Sequence, residues 1–179
     1  MCEKNFQPVV TRDTERLRVM WGGSATHQTD LEQIVPVVME TAKRYDWHFM
    51  GYTPKALEGL VTSHKGVPMT GYLDEIKRIA PDVGLAPLAD IPFNKTKSNI
   101  KLLEYGAIGA ATVASAVYPY RNSGASLISH GGKSEWLSAF RLLEDPAQRR
   151  ANALASQEYA RSFSLESNDD LILNAYSKR

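Results

Sequence analysis

Two short apolar runs, 83–86 and 111–115, bracket the stretch that most constrains this chain. Val83-Gly-Leu-Ala86 reads as a buried strand, and Ala111-Thr-Val-Ala-Ser115 as the next one. Between them, Pro87, Asp90, Pro92 and Asn94 mark a loop, because these residues favour turns and resist regular structure. A helix follows from about Thr96 or Ser98 to Ile108, and Gly109 is placed to end it in a left-handed conformation. Strand, loop, helix and strand make a βαβ unit, and its right-handed crossover sets the helix N-terminus at the carboxyl edge of a parallel sheet.

The polar residues of that helix fall together. At about 100° per residue, Lys97, Lys101 and Glu104 lie within about 60° of one another. Ile100, Leu103 and Ala107 form a separate stripe able to pack on the sheet. Two ammonium groups near a helix start, with a carboxylate a turn later, suit a polyanion that carries hydroxyls. Lysines and helix N–H groups would attract phosphate, and Glu104 would accept hydrogen bonds from a sugar. The same pattern also describes a solvated face with an ordinary Lys101–Glu104 i,i+3 pair, and on spacing alone that is the commoner arrangement.

The longer string resembles a known signature. Pro92-Phe-Asn-Lys-Thr-Lys-Ser-Asn-Ile-Lys-Leu-Leu-Glu-Tyr-Gly-Ala-Ile-Gly-Ala-Ala-Thr-Val-Ala-Ser115 is similar to the donor-binding segment of GT-B glycosyltransferases of the "glycosyl transferases group 1" set (family 4-like). Relatives there carry Pro-Phe-Asn-x-x-Lys-Ser-x-x-Lys-x-x-Glu, then a Gly and a Val-Ala-Ser strand. The resemblance runs from Val19 through the C-terminal helices. It extends to a Trp-containing helix and an Asp-Pro-x-x-Arg segment, here Asp145-Pro146-Ala147-Gln148-Arg149. It implies that Lys97, Ser98, Lys101 and Glu104 bind a nucleoside-diphosphate sugar, with Glu104 on the ribose.

Around this unit the chain alternates strand and helix. Residues 1–16 are polar and aperiodic and read as a tail or linker, leaving 17–179 as one nucleotide-sugar-binding domain. Leu17 to Trp21 is the first strand, closed by Gly22-Gly23-Ser24. Asp30 and Gln33 match a capping box for a helix running to Tyr45, with Pro36 expected to kink its start. Trp47 to Met50 is the second strand, Pro54 to Leu60 a short helix, Gly66 to Thr70 a weak third strand, and Asp74 to Ala80 an amphipathic turn or two. Beyond the central unit come a strand at 125–128, helices at 133–143 and from Asp145 to about Ser162, and helical spacing over 165–176. This order predicts an open, doubly wound, Rossmann-like parallel sheet. The resemblance makes it the C-terminal half of a GT-B fold.

The sequence offers further candidate positions. Gly22-Gly23-Ser24 follows a strand where glycine lets a phosphate approach the backbone, although without a third glycine a plain tight turn fits equally. Relatives have Gly-Ser and a following His at this place, which implies a role for Gly23, Ser24 and His27; a loop histidine without special role is the alternative. The resemblance also places the nucleotide base against backbone near Tyr72 and Leu73. His130-Gly-Gly-Lys-Ser134 is not a P-loop, because Leu127 stands where the first glycine is required, so Lys133 and Ser134 read as a helix start. Tyr52, Tyr72, Tyr118 and Tyr120 fall in turns, where one could stack on a base. Many relatives have two glutamates eight residues apart, the first touching the donor sugar; here Thr96 takes that place, so neither the sugar nor retention of configuration follows.

Composition narrows the function class. With 179 residues, one cysteine and a net charge of +1, the chain offers no intrachain disulfide and no electrostatic reason to bind nucleic acid. The four histidines show no metal-ligand spacing, so neither metal nor cofactor is expected. There is no apolar run long enough to cross a membrane and no signal peptide at the start, which makes the cytoplasm the expected location. The expected function is the donor half of a glycosyltransferase moving a hexose-type sugar. Two folds are needed for transfer, so an N-terminal acceptor-binding domain or partner chain is expected, and this domain alone should be inactive. A GT-B-type nucleotide-sugar epimerase is one alternative. A signalling receiver is another, although the first strand ends in Trp-Gly-Gly-Ser rather than in the acidic cluster a receiver needs.

Overall fold

The computed structural model describes residues 1–12, 15–121, 123, 125–128 and 132–168. Its strands are β1 (Arg18–Gly23), β2 (Asp46–Gly51), β3 (Thr62–His64), β4 (Val83–Ala86), β5 (Ala111–Ser115) and β6 (Ser126–Ile128). They form one sheet in the order β3-β2-β1-β4-β5-β6, every pair parallel. The chain moves outward from β1 through β2 to β3, returns to the other side of β1 as β4, and moves outward again. The direction therefore reverses between β1 and β4, which opens a crevice at their carboxyl ends. This is the doubly wound sheet the sequence predicts.

Helices cover both faces: α1 (Gln28–Leu31), α2 (Val35–Thr41), α3 (Met69–Ile79), α4 (Ile100–Ala107), α5 (Lys133–Glu144) and α6 (Pro146–Arg161). Alternation along the strands sorts the core. Val19, Trp21, Trp47, Phe49, Val83, Leu85 and Val113 pack with Ile34, Val38, Trp136 and Phe140 on one face. Met20 and Met50 meet Ile76, Ile79 and Tyr105 on the other. Gly84 lets α4 sit close, since a Cβ there would lie 2.1 Å from the Tyr105 ring. Each large side chain buried this way contributes on the order of 1.5–3 kcal/mol.

Several local expectations are corrected. Asp30 does not cap a helix; it lies inside α1, buried, and the kink expected at Pro36 is a full break, with Pro36 opening α2. The third strand is Thr62–His64 rather than 66–70, because the chain from Met69 already turns into α3. Tyr72 and Leu73 are therefore helical. Pro54 to Leu60 shrinks to a 3₁₀ turn at Lys55–Leu57. The chain before β1 holds one 3₁₀ turn, but it is anchored: the Gln7 amide donates to Ala107 O and Arg12 pairs with Asp82. His130, Gly131 and most of 165–176 lie outside the described residues.

Candidate functional site

The crevice between β1 and β4 gathers most of the expected site residues. From β1 come Gly22 and Gly23, which end the strand. A Cβ on Gly22 would meet the Tyr72 hydroxyl at 2.5 Å, so glycine is what allows α3 to lay this phenol over the strand end. Across the crevice, the segment after β4 forms a 3₁₀ turn (Pro92–Thr96), and α4 begins only at Ile100. Lys97 thus precedes the helix in extended backbone instead of lying on it. No side chain caps the first turn of α4.

Of the expected apolar stripe only Ala107 is fully buried, and the polar positions are buried instead of exposed. Lys101 is 8% exposed and Glu104 7%, whereas Ile100 is 43% exposed and Leu103 half-buried. The surface-pair alternative for Lys101 and Glu104 is thereby excluded. Lys101 donates to the carbonyl of Gly22 and lies 5.3 Å above the Trp21 ring. Burial lowers its pKa to about 8, against the opposing pull of Glu104. Burial likewise raises Glu104 to about 7, with Lys101 only partly offsetting the cost. Among the described residues, no hydrogen bond reaches the Glu104 carboxylate. Tyr72 senses it, its phenol pushed up by burial and then by the Glu104 charge.

Asp30 is the residue that spacing did not single out for the site. Its Oδ1 accepts from the Ala89 amide at 2.9 Å and from Asn94 Nδ2 at 2.6 Å, both in the loop after β4. Its Oδ2 accepts from His27 Nδ1 at 2.8 Å and from Lys97 Nζ at 3.1 Å. Burial would raise this carboxyl, but those bonds outweigh it and hold the pKa at about 2. The usable signal was the His27-x-x-Asp30 spacing, which brings both side chains to one side of a helical turn.

The remaining candidates take lesser places. Ser24 is exposed and bonds Thr26 at 2.7 Å; Ser98 is exposed between the 3₁₀ turn and α4. Leu73 is half-buried on α3 beside Tyr72. Tyr118 is exposed and Tyr120 buried. No group of three or more metal-ligating side chains occurs among the described residues, and no helix among them is long and apolar enough to cross a membrane.

No protein-family model and no curated protein matches the sequence. Solved structures do match. Sucrose-phosphate synthase from Thermosynechococcus elongatus aligns over 99% of this chain and 50% of its own, with a TM-score of 0.73 at 17% identity. HepE from Anabaena, solved with UDP-glucose, aligns over 92% of this chain and 49% of its own, at 0.69 and 11%. The chain has the fold of one half of a GT-B glycosyltransferase. It spans about half the length of these two structures. The catalytic domain of cholesterol-alpha-glucosyltransferase from Helicobacter pylori is instead covered over 100% of its length by 84% of this chain, at 0.62 and 14%. In this GT-B half, the doubly wound sheet sets the crevice beside α4, where Lys101 and Glu104 are buried.

Proposed function

We propose that this chain is the donor-binding half of a glycosyltransferase and that its crevice holds a nucleoside-diphosphate sugar. The observation that carries the reading is the burial of Lys101 and Glu104 at the switch point. An ionised carboxylate out of water and short of hydrogen-bond partners costs several kcal/mol. A ligand with vicinal hydroxyls would supply those partners. The uncapped N-terminus of α4, Lys97, Lys101 and the exposed hydroxyl of Ser98 would face the diphosphate. Gly22, Gly23 and Ser24 would let it approach β1, with His27 nearby, and the start of α3 at Tyr72 and Leu73 would border the base. The HepE structure with UDP-glucose supports the ligand class, as a property of that protein.

In transfer, negative charge grows on the departing diphosphate. Lys97, Lys101 and helix N–H groups fixed in place would stabilise it without reorganising. The acceptor would enter from a second α/β domain, in a longer chain or a partner, in the cytoplasm. The donor sugar is a hexose in this reading.

Titration calorimetry with UDP, GDP and their sugars tests it, alongside a product assay. Binding of a diphosphate without turnover by this domain is expected, and EDTA should leave the affinity unchanged, since the positive charge comes from lysines. Loss of binding in EDTA would mean that the phosphate site is wrong in kind. Failure of every diphosphate to bind would remove the donor reading.

A further inference from the structure

We propose that Asp30 is a positioning residue that presets the anion-binding side of the crevice by holding Lys97 and His27 in place across the switch point. This role rests on the donor-site reading. Asp30 is 3% exposed, and the four hydrogen bonds to its carboxylate divide by oxygen. Oδ1 fastens the loop after β4 through Ala89 and Asn94. Oδ2 takes the two groups that can act on a ligand, His27 and Lys97. One carboxylate therefore joins α1, which follows β1, to the segment that leads into α4.

The consequences follow from the chemistry of each partner. A carboxylate is acceptor-only, so the 2.8 Å contact makes His27 Nδ1 a donor and leaves Nε2 as the unprotonated nitrogen of the neutral ring. Lys97 Nζ approaches the same ring nitrogen at 3.4 Å and spends one of its three protons on Asp30. Its ammonium also lies 5.5 Å from the Phe93 ring centre. A free lysine samples many rotamers, and this anchoring removes much of that freedom before ligand arrives. Asp30 also puts a negative charge beside an anion site. Positioning and repulsion therefore oppose each other, and the proposal is that positioning wins.

Asp30→Asn separates the two halves of the residue. The new amide oxygen can still accept from Ala89 and Asn94, so the loop scaffold is kept, while the amide nitrogen cannot accept from Lys97. UDP or GDP affinity should fall about tenfold, whereas affinity for the bare nucleoside stays put. In a Lys97→Ala background the same substitution should cost nothing further, because the positioned group is gone. Histidine ¹⁵N spectra of the ligand-free protein should show His27 protonated at Nδ1, shifting to the Nε2–H form in Asp30→Asn. Equal losses for nucleoside and diphosphate would make Asp30 a purely structural residue and overturn the role, as would tighter diphosphate binding or an Nε2–H ring in the unsubstituted protein. If the unsubstituted protein binds no nucleotide, the donor-site reading itself fails. If it binds and Asp30→Asn leaves the affinity unchanged, only the positioning role fails.

Discussion

The two ends of the sheet carry similar residue types in opposite states. At the amino-terminal edge, before β1 and β2, a cavity of about 650 Å³ is lined by Arg12, Arg44, Arg149, Glu15, Glu144 and Tyr45 among others. Most of its charges are answered within the fold. Arg44 pairs with Glu144 at 2.5 Å, Arg149 donates to the carbonyls of Leu143 and Glu144, and Arg12 meets Asp82 at 3.1 Å. At the carboxyl-terminal edge Asp30 and Lys101 also find partners, but no hydrogen bond among the described residues reaches the buried Glu104 carboxylate. This cavity is thus the weaker candidate for function. Volume measures where packing stops; a buried charge short of partners marks where something else is expected to bind.

The largest effects should come from breaking the carboxyl-edge pair. Lys101→Ala removes the Gly22 contact and the positive charge that partly offsets the burial of Glu104, so UDP or GDP affinity should fall by about a hundredfold and the melting temperature should drop. Glu104→Ala should weaken nucleoside and diphosphate alike by roughly ten- to hundredfold, the value of a charge-assisted hydrogen bond of about 1.5–3 kcal/mol. A 2′,3′-dideoxy analogue should erase the difference between Glu104→Ala and the unsubstituted chain. Unchanged binding by a folded Glu104→Ala protein would end the ribose assignment.

That pair also shows how far the sequence could be read. The alternation of strands with helices and the βαβ unit follow from short apolar runs, turn residues and periodicity, which are local properties. The grouping of Lys97, Lys101 and Glu104 was visible at helical spacing, yet its burial was not, because apolar Ile100 and Leu103 suggested the other face. Which face of a short helix turns inward is decided by Tyr105 on Gly84 and by Lys101 reaching Gly22, contacts 21 and 79 residues apart in sequence. Asp30 was misread for a similar reason. An Asp before an apolar helix looks like a cap, and only the fold brings Ala89, Asn94 and Lys97 to it.

A smaller effect concerns pH. Glu104, raised to about 7 from an ordinary 4.5, keeps its proton in the folded state when the unfolded chain has lost it. Its contribution to stability is complete below pH 4.5 and declines as pH rises through about 7, by at most about 1.4 kcal/mol per pH unit. His64 works in the opposite sense, since burial and then His48 lower its pKa, so that stability gains as pH rises through the ordinary histidine range. The difference between the unsubstituted chain and Glu104→Gln cancels the histidine term. Its melting temperature, followed from pH 5 to 7.5, should fall in the former relative to the latter. Parallel curves would mean that Glu104 ionises as it does in water and is not held in a partner-poor site.

The smallest effect should lie at the other end of the sheet. Arg44 is more than half exposed, and its pair with Glu144 is screened by solvent. Removing it leaves Glu144 still accepting from Tyr45, so no buried charge is stranded. Arg44→Ala should therefore leave UDP and GDP affinity within calorimetric error. It should also leave the salt dependence of binding unchanged, because that dependence would arise from Lys97 and Lys101 at the far edge. A tenfold loss of affinity in a folded Arg44→Ala protein would place the diphosphate in the amino-edge cavity. The contrast between the two edges would then be inverted: satisfied arginines would be the binding groups, and the buried Lys101–Glu104 pair only a structural element of the core.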